Sequence, residues 1–184
     1  MGFIIGFVID SGIHAYIKEL VYILLLILIG VVGIAIGINI DKVKHALKNL
    51  QLVFLLTGST ITGSILGGAI VAIQTSTPID MALAITLGMG WYTFTGSYIG
   101  LINPLYGMIA FSANLLREIL MFTMYPFLSK KYRLEGICIG GAATMDSTLP
   151  IVLRFGGTDV AVLAFLHGFI LTLIIPVIIP LVIT

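Results

Sequence analysis

The sequence predicts an all-α polytopic membrane protein, organised as one domain over residues 1–184, with about five transmembrane helices and two opposed re-entrant hairpins. Three observations carry that prediction. Hydrophobic residues make up 59% of the chain and charged residues only 9%, whereas a soluble domain carries about a quarter charged residues. Apolar runs longer than about 18 residues recur along nearly the whole length, enough to cross a bilayer as helices. The runs are continuous rather than alternating, which argues against a transmembrane β-barrel.

Composition also bounds function. A net charge of +1, with no basic cluster interleaved with aromatics, gives no reason to expect a nucleic-acid partner. The single cysteine, Cys138, excludes an intrachain disulfide. No cysteine-histidine arrangement suggests a metal site, no phosphate-cradling motif is present, and no cofactor is expected. No polar stretch is long enough to fold outside the membrane. The amino terminus lacks a basic region before its apolar stretch and a convincing cleavage site, so it reads as mature protein.

Taken in order, residues 1–16 form a short apolar stretch interrupted by Asp10, Ser11 and Gly12, suited to a thin or tilted helix. Residues 20–40 read as a clear span, with Gly30, Gly33 and Gly37 along one side. The polar, basic connector DKVKHALKN at 41–49 reads as a short interfacial helix. Residues 50–73 form the next span. Thr57, Thr60 and Ser64 share one face of it, while Ser59, Gly63 and Gly67 make a small-residue stripe suited to close helix approach.

The polar turn QTSTPID at 74–80 ends in a helix start at Thr77-Pro78. Residues 81–102 are apolar but carry Gly88, Gly90, Gly96 and Gly100 around Trp91-Tyr92, and Asn103-Pro104 breaks the chain after them. A long span at 105–128 contains Asn114, Arg117 and Glu118, and the basic loop SKKYRLE follows at 129–135. The stretch GICIGGAATMDSTLPIVLRFGG at 136–157 is apolar enough to enter a membrane. Gly140, Gly141, Ser147, Pro150, Gly156 and Gly157 prevent it from being one continuous helix. The last span, 158–184, starts at Thr158-Asp159 and carries Pro176 and Pro180 as expected kinks.

Charge sets the expected topology. Lys42, Lys44 and Lys48 place the first connector in the cytoplasm, and Lys130, Lys131 and Arg133 place the later loop there. One crossing, 105–128, then suffices between residues 74 and 130. Residues 81–102 should therefore enter and return on the outer side, while 136–157 dip in from the cytoplasm. The amino terminus falls inside and the carboxyl terminus outside, in a plasma (inner) membrane. Reading 81–102 as an ordinary span reverses the basic loop and breaks the charge rule. Opposed hairpins bring interrupted-helix ends together near the midplane, where their amides and carbonyls can coordinate a polar solute.

Asp146, alone among the apolar residues of 136–157, is the first candidate for chemistry. An ionisable group at that depth is costly, and capping the half-helix near Ser147 would need only a neutral side chain. Arg117 and Glu118 are neighbours inside a span, on adjacent faces, and read equally as a neutral pair or as functional groups. Asn114 lies on the face of Glu118, four residues earlier. His167 suits a proton relay or a hydrogen-bonded packing role. Trp91 and Tyr92 could wall an alkyl-ammonium stem, and Thr144, Ser147 and Thr148 are neutral ligands in reach. Arg154 reads as a snorkelling side chain.

Gly-Met-Gly-Trp-Tyr (88–92), Arg117-Glu118 and Gly-Gly-Ala-Ala-Thr-Met-Asp-Ser-Thr-Leu-Pro (140–150) together resemble the LysO-type lysine exporter family. Arg154, Gly156-Gly157 and His167-Gly168-Phe169 extend the likeness, which runs from about residue 20 to the end. The resemblance implies a membrane exporter of L-lysine and its analogues, driven by protons, with the aspartate matching Asp146 needed for export. It implies no enzyme activity. Full-length members carry an additional amino-terminal half with a second acidic residue, so a small membrane subunit or a second copy of the chain is an expected partner. Asn114 stands where an acidic residue is expected in some relatives. Apart from the resemblance, if the Arg117-Glu118 pair is functional, Arg117 could hold the substrate carboxylate and Glu118 its α-ammonium or a proton. The competing readings are export of another cationic or zwitterionic solute, sodium coupling, an assembly subunit, and an intramembrane aspartyl enzyme. The last needs two carboxylates in one site, and a second aspartate motif is missing.

Overall fold

A computed structural model describes residues 50–183 and, singly, Ile34. The expected spans at 1–16 and 20–40 and the connector at 41–49 otherwise lie outside the described residues. Every regular element described is helical: α1 Leu50–Thr75, α2 Ile79–Thr86, α3 Tyr92–Ile102, α4 Pro104–Leu128, α5 Ile137–Gly140, a 3-10 turn Gly141–Met145, α6 Leu149–Gly156 and α7 Thr158–Val182. Among them α1, α4 and α7 are long and apolar enough to cross a membrane. Their outer faces, and the ends of α3, expose Phe54, Leu66, Leu101, Leu105, Phe127 and Leu173. So much exposed apolar surface suits hydrocarbon rather than water. The chain is a helical membrane protein, as its composition predicts.

Local chemistry sets the element boundaries. Beyond α1, Ser76 takes φ 53° and Pro78 stands as the N-cap of α2, so the chain turns back at once. Asn103 caps α4: its Oδ1 accepts from the amides of Leu105 at 3.0 Å and Tyr106 at 3.3 Å, with Pro104 opening the helix. The hydroxyl of the buried Tyr125 donates to the Arg133 carbonyl at 3.0 Å and holds the basic loop against the end of α4. Helix α7 continues through both Pro176 and Pro180.

Both glycine-rich stretches are interrupted helices. The first is α2, a turn, then α3, spanning 79–102 against the 81–102 expected; the second is α5, the 3-10 turn, then α6, spanning 137–156 against 136–157. Their interruptions touch. The Ala142 amide donates to the Met89 carbonyl at 2.8 Å. Gly90 at φ 92° and Gly141 at φ 60° make this approach. A Cβ on Gly141 would fall on the Met89 carbonyl, and one on Gly90 would lie 2.5 Å from the Gly140 carbonyl oxygen. Two backbones cross here with no side chain between them, which only glycine permits. Buried apolar residues gather around this crossing, among them Leu87, Met89, Ile99, Ala142, Leu171 and Ile175.

Helix α1 carries one expected face and one reversed one. Thr57, Thr60 and Ser64 are buried, as their spacing predicts. The stripe of Ser59, Gly63 and Gly67 meets no other described helix: among the described residues nothing lies within 4 Å of a Cβ built on Gly63 or Gly67. It borders an open cleft instead. The close approach of α1 to α2 is made at Gly68, where a Cβ would lie 2.5 Å from Thr86 Oγ1.

Candidate functional site

A cleft of about 460 Å³ opens between α1, α2, α4 and α5, lined by the small and polar side of α1 together with Thr86, Asn114, Arg117 and Cys138. Of the candidate solute and proton ligands named from the sequence, it gathers Asn114 and Arg117 and leaves the others outside. Arg117 Nε donates to the Ile139 carbonyl at 2.7 Å, Nη2 to the Cys138 carbonyl at 2.8 Å and Nη1 to Ser64 Oγ at 3.2 Å. It thus ties α4 to the last residues of α5 and to α1. Arg117 and Glu118 do not form a pair with each other, and all three acceptors on the guanidinium are neutral.

Asn114 works on the first interruption. Its Oδ1 accepts from the Gly90 amide at 2.8 Å, and its Nδ2 reaches the carbonyls of Ile85 and Ala110 at 2.9 Å each. Both amide protons are thereby used, so the side chain holds the turn rather than offering donors to the cleft.

His167 is fully buried with both ring nitrogens engaged: Nε2 lies 3.0 Å from Thr60 Oγ1 and Nδ1 lies 3.2 Å from Thr144 Oγ1. Either neutral tautomer is satisfied, because each hydroxyl can also donate to a carbonyl: Thr60 to Leu56 at 2.9 Å, Thr144 to Gly141 at 2.7 Å or Ala164 at 2.8 Å. This chain of groups joins α1, α7 and the 3-10 turn. Thr60→Val, which strands a ring nitrogen, is expected to cost about 1–3 kcal/mol of stability. Thermal unfolding in detergent checks this, with the exposed Ser59→Ala as control. Thr148, also buried, donates to the Ala143 carbonyl at 3.0 Å and closes the same interruption.

Asp146 follows the 3-10 turn, four residues beyond Ala142, and its side chain is exposed at the surface of the described bundle. It does not line the cleft. One Oδ accepts from the Ser147 amide at 2.5 Å. Helix α6 begins only at Leu149, behind Thr148 and without a side-chain cap, so Asp146 caps no helix. Glu118 is buried on α4, outside the cleft. The Tyr92 hydroxyl lies within Coulombic reach of both carboxylates, Glu118 and Asp146, and its ring meets Phe111 edge-on at 5.2 Å. Trp91 stands beside Phe94 at 5.0 Å between ring centres, part of an aromatic group that continues to Tyr98. Arg154 is exposed beside the Phe155 ring, as a snorkelling side chain would be.

Thr60, Ser64 and Cys138 gain a place in the site that sequence reasoning did not give them. The 57/60/64 spacing marked the face of α1 but not what it meets. Thr57 on that face keeps a buried hydroxyl without a partner among the described residues.

Interrupted helices that cross beside a polar cleft, inside a bundle with an apolar exterior, mark a helical membrane protein with broken elements inside its bundle. The family model described as "Lysine exporter LysO" matches residues 1–183, and the chain belongs to that family. The match takes in the first residues too, beyond the likeness seen from about residue 20. The chain is 33% identical over 180 residues to a protein of Escherichia coli (strain K12) named "Lysine exporter LysO", covering 96% of this chain and 60% of that one. It is 36% identical over 180 residues to the "Putative lysine exporter" of Haemophilus influenzae, covering 96% of this chain and 90% of the relative. The chain therefore spans less than two thirds of the E. coli relative. No solved structure matches it.

Proposed function

We propose that this chain exports L-lysine and lysine analogues across the plasma membrane in exchange for protons, with Asp146 as the group for which proton and cation compete. One observation carries the reading: an interrupted helix at the crossing holds an exposed carboxylate that is bonded locally, to the neighbouring Ser147 amide, and to no cation among the described residues. A carboxylate in an apolar segment is retained at a cost, and an accessible one can hold a proton or an ammonium group in turn. Family membership supports lysine as the solute. Glu118, near the same tyrosine, is the second acidic group that a substrate with two ammonium groups needs.

The membrane potential supports the exchange. Moving a lysine cation outward against an inside-negative potential costs about 2.3 kcal/mol per 100 mV. Swapping it for one incoming proton removes that cost. In the scheme both basic connectors are cytoplasmic, the two interrupted elements enter from opposite faces, and a second copy or a small membrane subunit covers the exposed side of Asp146. Purified protein in liposomes should move lysine at a rate that follows an imposed pH gradient. Lysine movement indifferent to that gradient rejects proton exchange.

A further inference from the structure

Resting on the reading of an amino-acid exporter, we propose that the cleft is a carboxylate subsite in which Arg117 receives the α-carboxylate of the substrate, apart from the groups that take its ammonium ends. A guanidinium has five N–H groups and stays charged. Three are used, on the Ile139 and Cys138 carbonyls and on Ser64 Oγ. That leaves one on each terminal nitrogen, the number a carboxylate takes in a two-point contact. No carboxylate pairs with Arg117 among the described residues, and no acidic side chain lines the cleft. A half-buried positive charge held only by neutral acceptors has no counter-ion among the described residues.

The shape and chemistry of the walls agree. A volume of about 460 Å³ is within the range of small-molecule sites. Ser59, Thr60 and Ser64 bring hydroxyls to one wall, and Asn114, its amide protons spent on the Ile85 and Ala110 carbonyls, stiffens another. A diamine would meet a positive charge there with no acid to offset it. An amino acid or an ω-amino acid presents the complementary group. The cleft therefore distinguishes lysine from its decarboxylated counterpart, which the carboxylates of Asp146 and Glu118 alone cannot do.

Cys138 provides the test, since it lines the cleft and is the chain's sole cysteine. In the unmodified protein in liposomes, a small thiol reagent should label Cys138. L-Lysine and 6-aminohexanoate, each at ten times its dissociation constant, should slow labelling about tenfold by occupancy. Cadaverine, with the same ammonium ends and no carboxylate, should leave the rate unchanged. The Asp146→Asn variant should keep the protection by 6-aminohexanoate. Equal protection by cadaverine overturns the subsite, as does a protein that exports lysine while every carboxylate leaves labelling unchanged. A protein that fails to move lysine but whose Cys138 is protected by other amino acids keeps the subsite and removes lysine as the solute.

Discussion

Asp146→Asn should abolish lysine export while the protein still folds and reaches the membrane. The carboxylate accepts from the adjacent Ser147 amide and caps no helix. An asparagine oxygen can accept that bond equally well, so little stability rests on the charge. Export is another matter. An ammonium group without its counter-ion inside the membrane costs about 2.5–3.5 kcal/mol, on the order of a hundredfold in occupancy. The variant also has no group to carry the returning proton. The measurement is survival of exporter-deficient cells on a toxic lysine analogue, with protein level followed in parallel. Equal protection by native and variant chains at equal abundance would take the carboxylate out of the mechanism.

The second large effect belongs to the crossing. Gly141→Ala should lower stability by about 3 kcal/mol or more. A Cβ there would coincide with the Met89 carbonyl, and φ of 60° with ψ of −129° is a backbone region kept for glycine. Holding an L-residue in such a region costs on the order of 1–3 kcal/mol. The Ala142–Met89 hydrogen bond is lost as well, at about 1 kcal/mol. Gly58→Ala gives the opposite sign: the position is helical, exposed and has nothing within 4 Å of a Cβ. Alanine there should be neutral or stabilising by up to about 1 kcal/mol. Thermal unfolding of both variants in detergent separates them. Similar midpoints for Gly141→Ala and the native chain would mean that the crossing contributes nothing.

Much of this fold is legible in the sequence because bilayers impose long apolar runs, and α1, α4 and α7 fall within two residues of the spans at 50–73, 105–128 and 158–184. The interruptions are legible for a related reason, since glycines and prolines inside such runs stop a helix. Their meeting is not. Met89 and Ala142 are far apart in sequence, and nothing local to either predicts that one amide bonds to the other's carbonyl. Asp146 stood out by its isolation, but its exposure depends on which way the chain leaves the 3-10 turn. Arg117 and Glu118 stood out as a pair, although residues one apart on a helix point to different neighbours. One borders a cleft and the other is buried outside it. The small stripe on α1 shows that glycine spacing reports room for an approach but not which element uses it; among the described residues it borders the cleft.

At the crossing, main chain lies on main chain, with one amide-to-carbonyl link and no interlocking side chains. A main-chain joint of this kind is kept in register by its surroundings, the Asn114 clasp on the Gly90 amide and the buried cluster of Leu87, Met89, Ala142 and Leu171. Arg117 fastens one of the two arms, at Cys138 and Ile139, to the long helix α4. A ligand arriving at the guanidinium would therefore pull on that arm two to three residues before Gly141, where the two main chains meet.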